Sequence, residues 1–509
     1  MKTCETSPTT CPASRQARWE STGRRRTIAR CTAILALLST SISGCAQQQA
    51  PEPRYNVLGQ PDEKKGQTVA VWIKRLDEGD VQQRGDVARV LGNIGPKAEA
   101  AVPALSRMLA EKDESLRAQA AVALIKLGCR DEAVAKTLTD ALKFQQIELR
   151  TLAVEQLGTL GTTAHGAVPA LVELLKEPGD ALRQKAVEAL GKMGPPAVPA
   201  LVAALADADK QTMDSAMEIL SSAGPECVEP LGRLAASRDK EARERAGGLL
   251  VQRGEAAVPA FVAAMKSPDE NVRLSAVGCL RQVGPKAEAA LSPIIAALKD
   301  PNALVCNEAQ AALAAIGPPA VAAMIKTLED DDAYVRTLSL HALVQVGQRA
   351  VGPLTAALGS PSERTSLYAA AALVTMGGHA AAAMAKLKAA LASKDKDLCL
   401  LATRTLADSK ADLSSCTAEL AAALQHADAE VKQLAARCVG SLGRAAKPMV
   451  PELASMLNDG EEKTVIAALK ALAAIGKEAG AALPKVEKLA DHSNFRIAGA
   501  AQDALRAMK

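Results

Sequence analysis

The chain has 509 residues, enough for three or four ordinary globular domains, yet it is rich in alanine, only 2% aromatic, and carries 34 glycines and 26 prolines that recur at regular intervals. That composition points to a repeat array rather than a set of unrelated domains. The formal net charge is +4, and residues 1–44 hold seven Lys and Arg against two Glu, so the remainder sums to about −1; a near-neutral, aromatic-poor chain gives no support to a nucleic-acid partner, which needs a basic surface and stacking side chains.

The first 44 residues read as an export signal. Arg24, Arg25, Arg26 and Arg30 precede an apolar stretch, residues 31–43, which ends in small residues. Thirteen residues are too few to span a bilayer. Ile42, Ser43, Gly44 and Cys45 then run aliphatic, small, small, cysteine, an order that resembles the lipobox of bacterial lipoproteins. The resemblance covers the leader only. It implies cleavage between Gly44 and Cys45 and acylation of the Cys45 thiol, a thioether chemistry that needs a thiol nucleophile with small neighbours. The competing reading is a plain signal peptide or anchor with an incidental cysteine. The long basic segment also fits a misplaced start, and Arg25-Arg26-Thr27-Ile28 loosely resembles a twin-arginine signal.

Ala46 rather than Asp follows Cys45, so the usual inner-membrane retention signal of Gram-negative lipoproteins is missing. The expected location is the cell envelope, at the outer membrane or its periplasmic face. Residues 46–66 are polar, Pro-containing and aperiodic. Residues 45–66 are therefore expected to be a flexible tether with a reach of roughly 25 Å.

From residue 67 to the end one pattern recurs, clearest in GPKAEAAVPALSRMLAEKDESLRAQAAVALIKLG, residues 95–128, and GEAAVPAFVAAMKSPDENVRLSAVGCLRQVG, residues 254–284. Each unit holds two apolar-periodic helices and two breakers. Closing glycines fall at 95, 128, 161, 194, 224, 254, 284, 317, 347, 377, 443 and 476, with Asp408 in the place of one, giving a period of 30 or 33. The longer units insert three residues before the first helix, an insertion expected to lengthen a loop and leave the core alone. This pattern resembles the short HEAT-type repeat, of the kind also found in phycobilisome lyases, over about residues 67–509. The ankyrin T-P-L-H signature and the aromatic anchors of tetratricopeptide repeats are absent. The expectation is an all-α fold, a right-handed α-solenoid of the HEAT-like or armadillo type with about thirteen stacked helix pairs, roughly 100 to 130 Å along its curve.

Positions within the second helix have assignable tasks. Asp80, Asp113, Asp209, Asp239, Asp269, Asn302, Asp332, Ser362, Asp395 and Asp428 share the register just before it and are predicted N-caps. Four residues on stand Arg84, Arg117, Arg150, Arg183, Arg243, Arg273, Arg336 and Lys432, able to bridge carboxylates of the same or the next repeat. This column reads as an inter-repeat tie rather than a phosphate-binding ladder. A small residue three further on, such as Ala120 or Ala276, and a Leu four beyond that are packing positions.

No catalytic constellation emerges. His165, His341, His379, His426 and His492 are isolated and none precedes Glu, unlike the repeated His-Glu pairs of HEAT-type di-iron hydroxylases. The glycines read as helix C-caps rather than phosphate cradles. Cys129, Cys227, Cys279, Cys306, Cys399, Cys416 and Cys438 are odd in number, scattered and without C-x-x-C spacing, which argues against a disulfide framework or a zinc site. No metal, cofactor or enzymatic activity is expected. A lyase or carrier enzyme similar to bilin lyases is the alternative, and it calls for a pocket of mixed polar groups that the sequence does not display.

A solenoid works through surface. At 100° per residue the positions one and five after the ladder residue face solvent. The fifth column includes Glu155, Glu188 and Glu218 in one half, and Arg404, Arg437 and Lys470 at the end. The neighbouring column adds Asp214, Glu244, Leu274, Leu367, Leu400 and Ile466. The expectation is a charge-segregated groove whose apolar and basic end holds an acidic or amphipathic segment of an unidentified protein partner, with the membrane reached through the N-terminal lipid. The bland alternative is a solvated face with chance runs.

Overall fold

The computed structural model describes residues 52, 54–62, 66–177, 179–207, 209–377, 381–393, 395–409 and 411–509. The leader, the expected cleavage at Gly44 and the expected lipidation at Cys45 lie outside the described residues. Among the described residues fourteen helix pairs follow one another, one more than the thirteen or so expected, from Val69–Glu78 with Val81–Ile94 to Leu483–Leu489 with Phe495–Met508; they are numbered repeats 1 to 14 below. Among the described residues no helix is long and apolar enough to cross a membrane.

The second helix of repeat 2, Glu114–Leu127, shows why these segments are helices and why they stop. Asp113 accepts a hydrogen bond from the Leu116 backbone N–H at 2.9 Å, and Glu114 places a negative charge in the first turn. At the far end Gly128 turns left-handed, φ 99°, and its N–H returns to the Ile125 and Leu124 carbonyls. Between the caps Leu116, Ala120, Leu124 and Leu127 are buried. The closing glycines share a positive φ except Gly224, which is extended at φ −73° and ψ −167°. Small residues set the spacing of the layers: a Cβ on Gly158 would stand 3.1 Å from the Ala189 Cα of the next repeat. Full burial of a leucine such as Leu124 contributes about 1.5–3 kcal/mol, and the stacking of one continuous apolar layer along the array holds the fold.

Two expectations about non-helical segments need correction. The three inserted residues of the longer units do not form a loop. They extend the entry to the first helix into a 3₁₀ turn such as Gly95–Ala101, against Pro195–Ala197 in a short unit. The added turn buries an extra alanine, as at Ala98 and Ala287, so the insertion adds to the core.

Part of the segment expected as a tether, residues 45–66, is also folded. Residues 54–62 and 66–68 fold against repeat 1. Tyr55 and Gln67 exchange backbone hydrogen bonds at 2.8 Å, and the Tyr55 ring is buried with Trp72. Gly59, at φ 77°, lies so close to repeat 1 that a Cβ would come within 2.7 Å of the Asn93 Cβ and 2.9 Å of the Val90 oxygen. A polar, aperiodic composition concealed this segment, because its order comes from docking on a neighbour rather than from a periodic apolar face.

Candidate functional site

The ladder and the N-caps lie at the seams between repeats. Asp239, Asp269 and Asp332 accept from the backbone N–H groups of Ala242, Asn271 and Tyr334 at 3.1, 2.9 and 2.8 Å. The basic residues do not pair with these caps. They donate to the carbonyls closing the first helix of their own repeat, as Arg117 does to Glu111 and Lys112 at 2.8 and 2.9 Å, and Arg243 to Ser237 and Arg238 at 2.9 and 3.2 Å. Several then reach an acid two residues before the next N-cap. Arg84 meets Glu111 and Arg150 meets Glu177, both at 2.5 Å; Arg273 grips both oxygens of Asp300 at 2.7 and 2.9 Å; Lys432 meets Asp459 at 2.5 Å. Arg117 finds Phe144 in that place and stacks on its ring, 5.6 Å from the centroid. The Arg273 guanidinium, hydrogen-bonded to Asp300, holds that carboxyl below the usual carboxylate range.

The position two before each N-cap has a second task. Asp300 and Asp330 accept the N-cap backbone N–H at 2.9 and 3.0 Å, and Ser237 and Ser267 do so at 3.1 and 3.2 Å. His426 and His492 fill the same column, each Nδ1 accepting, from Asp428 and Asn494, at 3.0 Å. These two histidines thus have structural work. Aligning the residue two before each cap in the sequence would have shown it.

The cysteines pack as small hydrophobes. All seven described cysteines are free thiols, six of them buried and Cys129 half-buried. Burial pushes the Cys279 thiol up to about 11 and the Cys438 thiol up to about 12. Among the described residues no cluster of His, Cys, Asp and Glu has the makings of a metal site.

The expected charge columns are largely neutralised by residues outside them. Lys185 stands 3.1 Å from Glu155 and 3.9 Å from Glu188, and its ammonium is stabilised by the hydrogen bond to Glu155, which raises its pKa. Arg404 pairs with Glu430, and Arg437 with Asp408, all four being about half exposed. Glu218 and Lys470 take no ion pair among the described residues. Reading a single register missed these partners because long side chains reach sideways along one helix and across to the next.

Leu367 is a further correction. Its expected place was the exposed face, but it is only 2% exposed, and Ala371 in the neighbouring column is fully buried. Side chains of repeats 9 and 11 meet over the second helix of repeat 10, Glu363–Thr375. Arg336, itself 2% exposed, donates to the Asp330 and Asp331 carbonyls at 2.7 and 2.8 Å and to the Tyr368 hydroxyl at 3.1 Å, and reaches Asp397 of repeat 11 at 3.4 Å. A contact that skips a whole repeat puts the second helices on the concave side of the stack. Arg336, His341, Tyr368, Asp397, Leu400, Arg404 and Asp408 line a groove of 380 Å³ there, a convergence of polar groups that the sequence did not reveal.

A second groove lies further along. A groove of 580 Å³ between repeats 12, 13 and 14 is floored by Ala436, Ile466, Ala467, Ala471 and Ala474. Arg437, Lys463, Lys470 and Arg496 stand around it against Glu462, which Arg496 meets at 3.4 Å. Lys463, Ile466 and Lys470 fall at i, i+3 and i+7 of one helix, so two ammonium groups without ion pairs among the described residues flank one half-buried isoleucine.

Yeast importin-beta, Kap95p, aligns over 87% of this chain and 68% of its own at 15% identity, with a TM-score of 0.40. A structure titled for Kap121p bound to Pho4p covers 86% of this chain and 54% of its own at 16% identity, TM-score 0.30. An engineered protein covers 86% and 98% at 21% identity, TM-score 0.27. No curated protein matches by sequence. The profile of HEAT repeats matches residues 69–146, 145–221, 228–314, 291–372 and 417–506, most of the described array. With its paired helices, capped seams and regular period, the chain belongs to the HEAT-repeat family.

Proposed function

We propose that this protein is a non-catalytic scaffold of the cell envelope, held to a membrane by a lipid on Cys45 and binding an acidic, amphipathic segment of another protein. The groove over repeats 12 to 14 carries the reading, since its apolar floor and the ammonium groups of Lys463 and Lys470 match such a segment in both polarity and charge. Arg404 and Arg437 contribute less, because Glu430 and Asp408 already accompany them. The lipobox motif at residues 42–45 supports the anchor, and Ala46 favours the outer membrane.

Two measurements test the reading. The N-terminal peptide of protein taken from the native host's membranes should begin at Cys45 with a diacyl or triacyl mass; an intact, unmodified N-terminus on soluble protein overturns the anchor. A photo-crosslinker at Ile466 should trap one specific protein through an acid-rich peptide, and Lys463→Glu with Lys470→Glu should abolish the adduct while leaving helicity intact. Crosslinking that persists in the charge-reversed variant refutes the groove.

A second reading has one observation of its own. The polar groove over repeat 10, lined by Arg336, His341, Tyr368 and Asp397, is where a lyase or carrier enzyme of this fold would work. Titration with an open-chain tetrapyrrole should then give a saturable absorbance shift that His341→Ala weakens, and a flat titration removes it.

A further inference from the structure

The segment that caps repeat 1 ends in an unusual turn. Gly59 donates to the Asn56 carbonyl at 2.9 Å, closing a turn whose two central residues are Val57 and Leu58. The Asn56 side chain accepts from the Leu58 and Gln60 N–H groups at 2.9 and 3.1 Å, and Asn93 of repeat 1 donates to the Leu58 carbonyl at 3.3 Å. The close approach of Gly59 to Val90 and Asn93 fixes the turn on the end of the array. Tips of this kind ordinarily carry Asn, Asp, Ser or Gly, whose side chains tolerate water and positive φ. Here the pinned backbone presents two branched aliphatic side chains, 71% and 61% exposed. Beside them runs a groove of 640 Å³, lined also by Trp72, Arg75 and Arg89, in which the Arg75 guanidinium lies 5.3 Å from the centre of the Trp72 ring.

We propose that this turn docks on a lipid surface, with Val57 and Leu58 entering the interface between headgroups and acyl chains, so that the solenoid stands with repeat 1 against the membrane. The proposal rests on the reading of Cys45 as the lipid anchor. Length of chain selects the occupant: only eleven residues lie between Cys45 and Val57, a chain length with a reach of about 20 Å, so an acylated Cys45 keeps the turn close to the bilayer that bears it. At that distance apolar side chains on a rigid tip meet the interface at high effective concentration. The anchor alone leaves the orientation of the array free; a second, structured contact fixes it.

The test uses the full chain matured in its host and reconstituted into vesicles of phosphatidylethanolamine and phosphatidylglycerol, 3:1, containing brominated acyl chains. A bimane label on Leu58→Cys should be quenched by the bromolipid and shielded from aqueous iodide, while the same label on Lys477→Cys in repeat 14 shows the opposite, at least a fivefold difference in quenching ratio; the unsubstituted chain sets the background from Cys129. Equal iodide access at both positions, in protein whose N-terminal mass shows an acylated Cys45, overturns the turn contact and leaves the anchor standing. If the mass shows Cys45 unmodified, the anchor falls, and the same bromolipid signal, measured on protein added to vesicles from solution, decides the turn. Shielding of the label without lipid, rising with protein concentration, assigns the tip to a second copy of the chain and overturns the proposal.

Discussion

Arg273 and Arg336 occupy the same register of repeats 7 and 9, yet they hold the array together in different ways. Arg273 closes its own repeat at the Ser267 and Pro268 carbonyls, 3.0 and 3.2 Å away, and grips Asp300 of the adjacent repeat with two nitrogens. The step from one N-cap to the next is there 33 residues, and the acid falls at i+27, as it does for Arg84, Arg150 and Lys432. For Arg336 the step is 30 residues and the corresponding position is Ser360, which accepts from its own N-cap at 3.2 Å. Arg336 instead reaches past the adjacent repeat to Asp397. Arg183 and Arg243, also at 30-residue steps, meet no carboxylate of the next repeat among the described residues. The rung is therefore a property of the longer unit, and a shorter step frees its arginine for contacts elsewhere.

Removing an acid from each rung separates the two cases. Arg273 and Asp300 are both largely shielded from water, so Asp300→Ala leaves the guanidinium only its carbonyl partners and should cost about 1–3 kcal/mol. The loss should appear as faster amide hydrogen exchange confined to repeats 7 and 8, because repeats couple mainly to their neighbours. Asp397 is exposed beside Arg336; Asp397→Ala should cost no more than about 1 kcal/mol. It should instead lengthen the distance between spin labels on repeats 9 and 11, and an unchanged distance would show that Arg336 does not draw those repeats together.

The pH dependence sharpens the same contrast. The folded Asp300 carboxyl titrates below its unfolded value of about 3.9. Its contribution to stability is therefore complete above that value and disappears as pH falls through the lowered folded value. Protection from exchange in repeats 7 and 8, relative to the intrinsic rate at each pH, should fall below about pH 4, and Asp300→Asn should flatten that response. Smaller still is His426→Asp, which preserves an acceptor for the Asp428 N–H and should move the melting temperature by less than about 2 °C, equivalent to a surface change within about 0.5 kcal/mol. Thiol labelling of native protein, read by peptide mapping, should modify the half-buried Cys129 well before Cys438, whose thiol burial holds near 12.

The helix pairs and their caps were legible in the sequence because they depend on local chemistry: a carboxylate or hydroxyl before an apolar-periodic run, a glycine after it, and a fixed interval between them. The partner of each ladder residue was not, because it depends on how far the next repeat carries its own acid. Glu155 and Glu188 read as a negative run until Lys185, one register aside, is placed between them. Ile466 and Lys470 read as outward and border an open groove, whereas Leu367 carries the same pattern and is roofed over. What separates them is the contact from repeat 9 to repeat 11 over repeat 10, which an averaged repeat cannot encode. The docked turn at residues 56–59 was invisible for a related reason, since its order resides in Asn93 and Val90, more than thirty positions away.

The roof over repeat 10 also divides the inner surface. Along the second helices, Leu367 and Ala371 withdraw from the surface where Arg336 reaches Asp397. The inner surface is thus two stretches rather than one, and the clasp between repeats 9 and 11 sets the boundary between them.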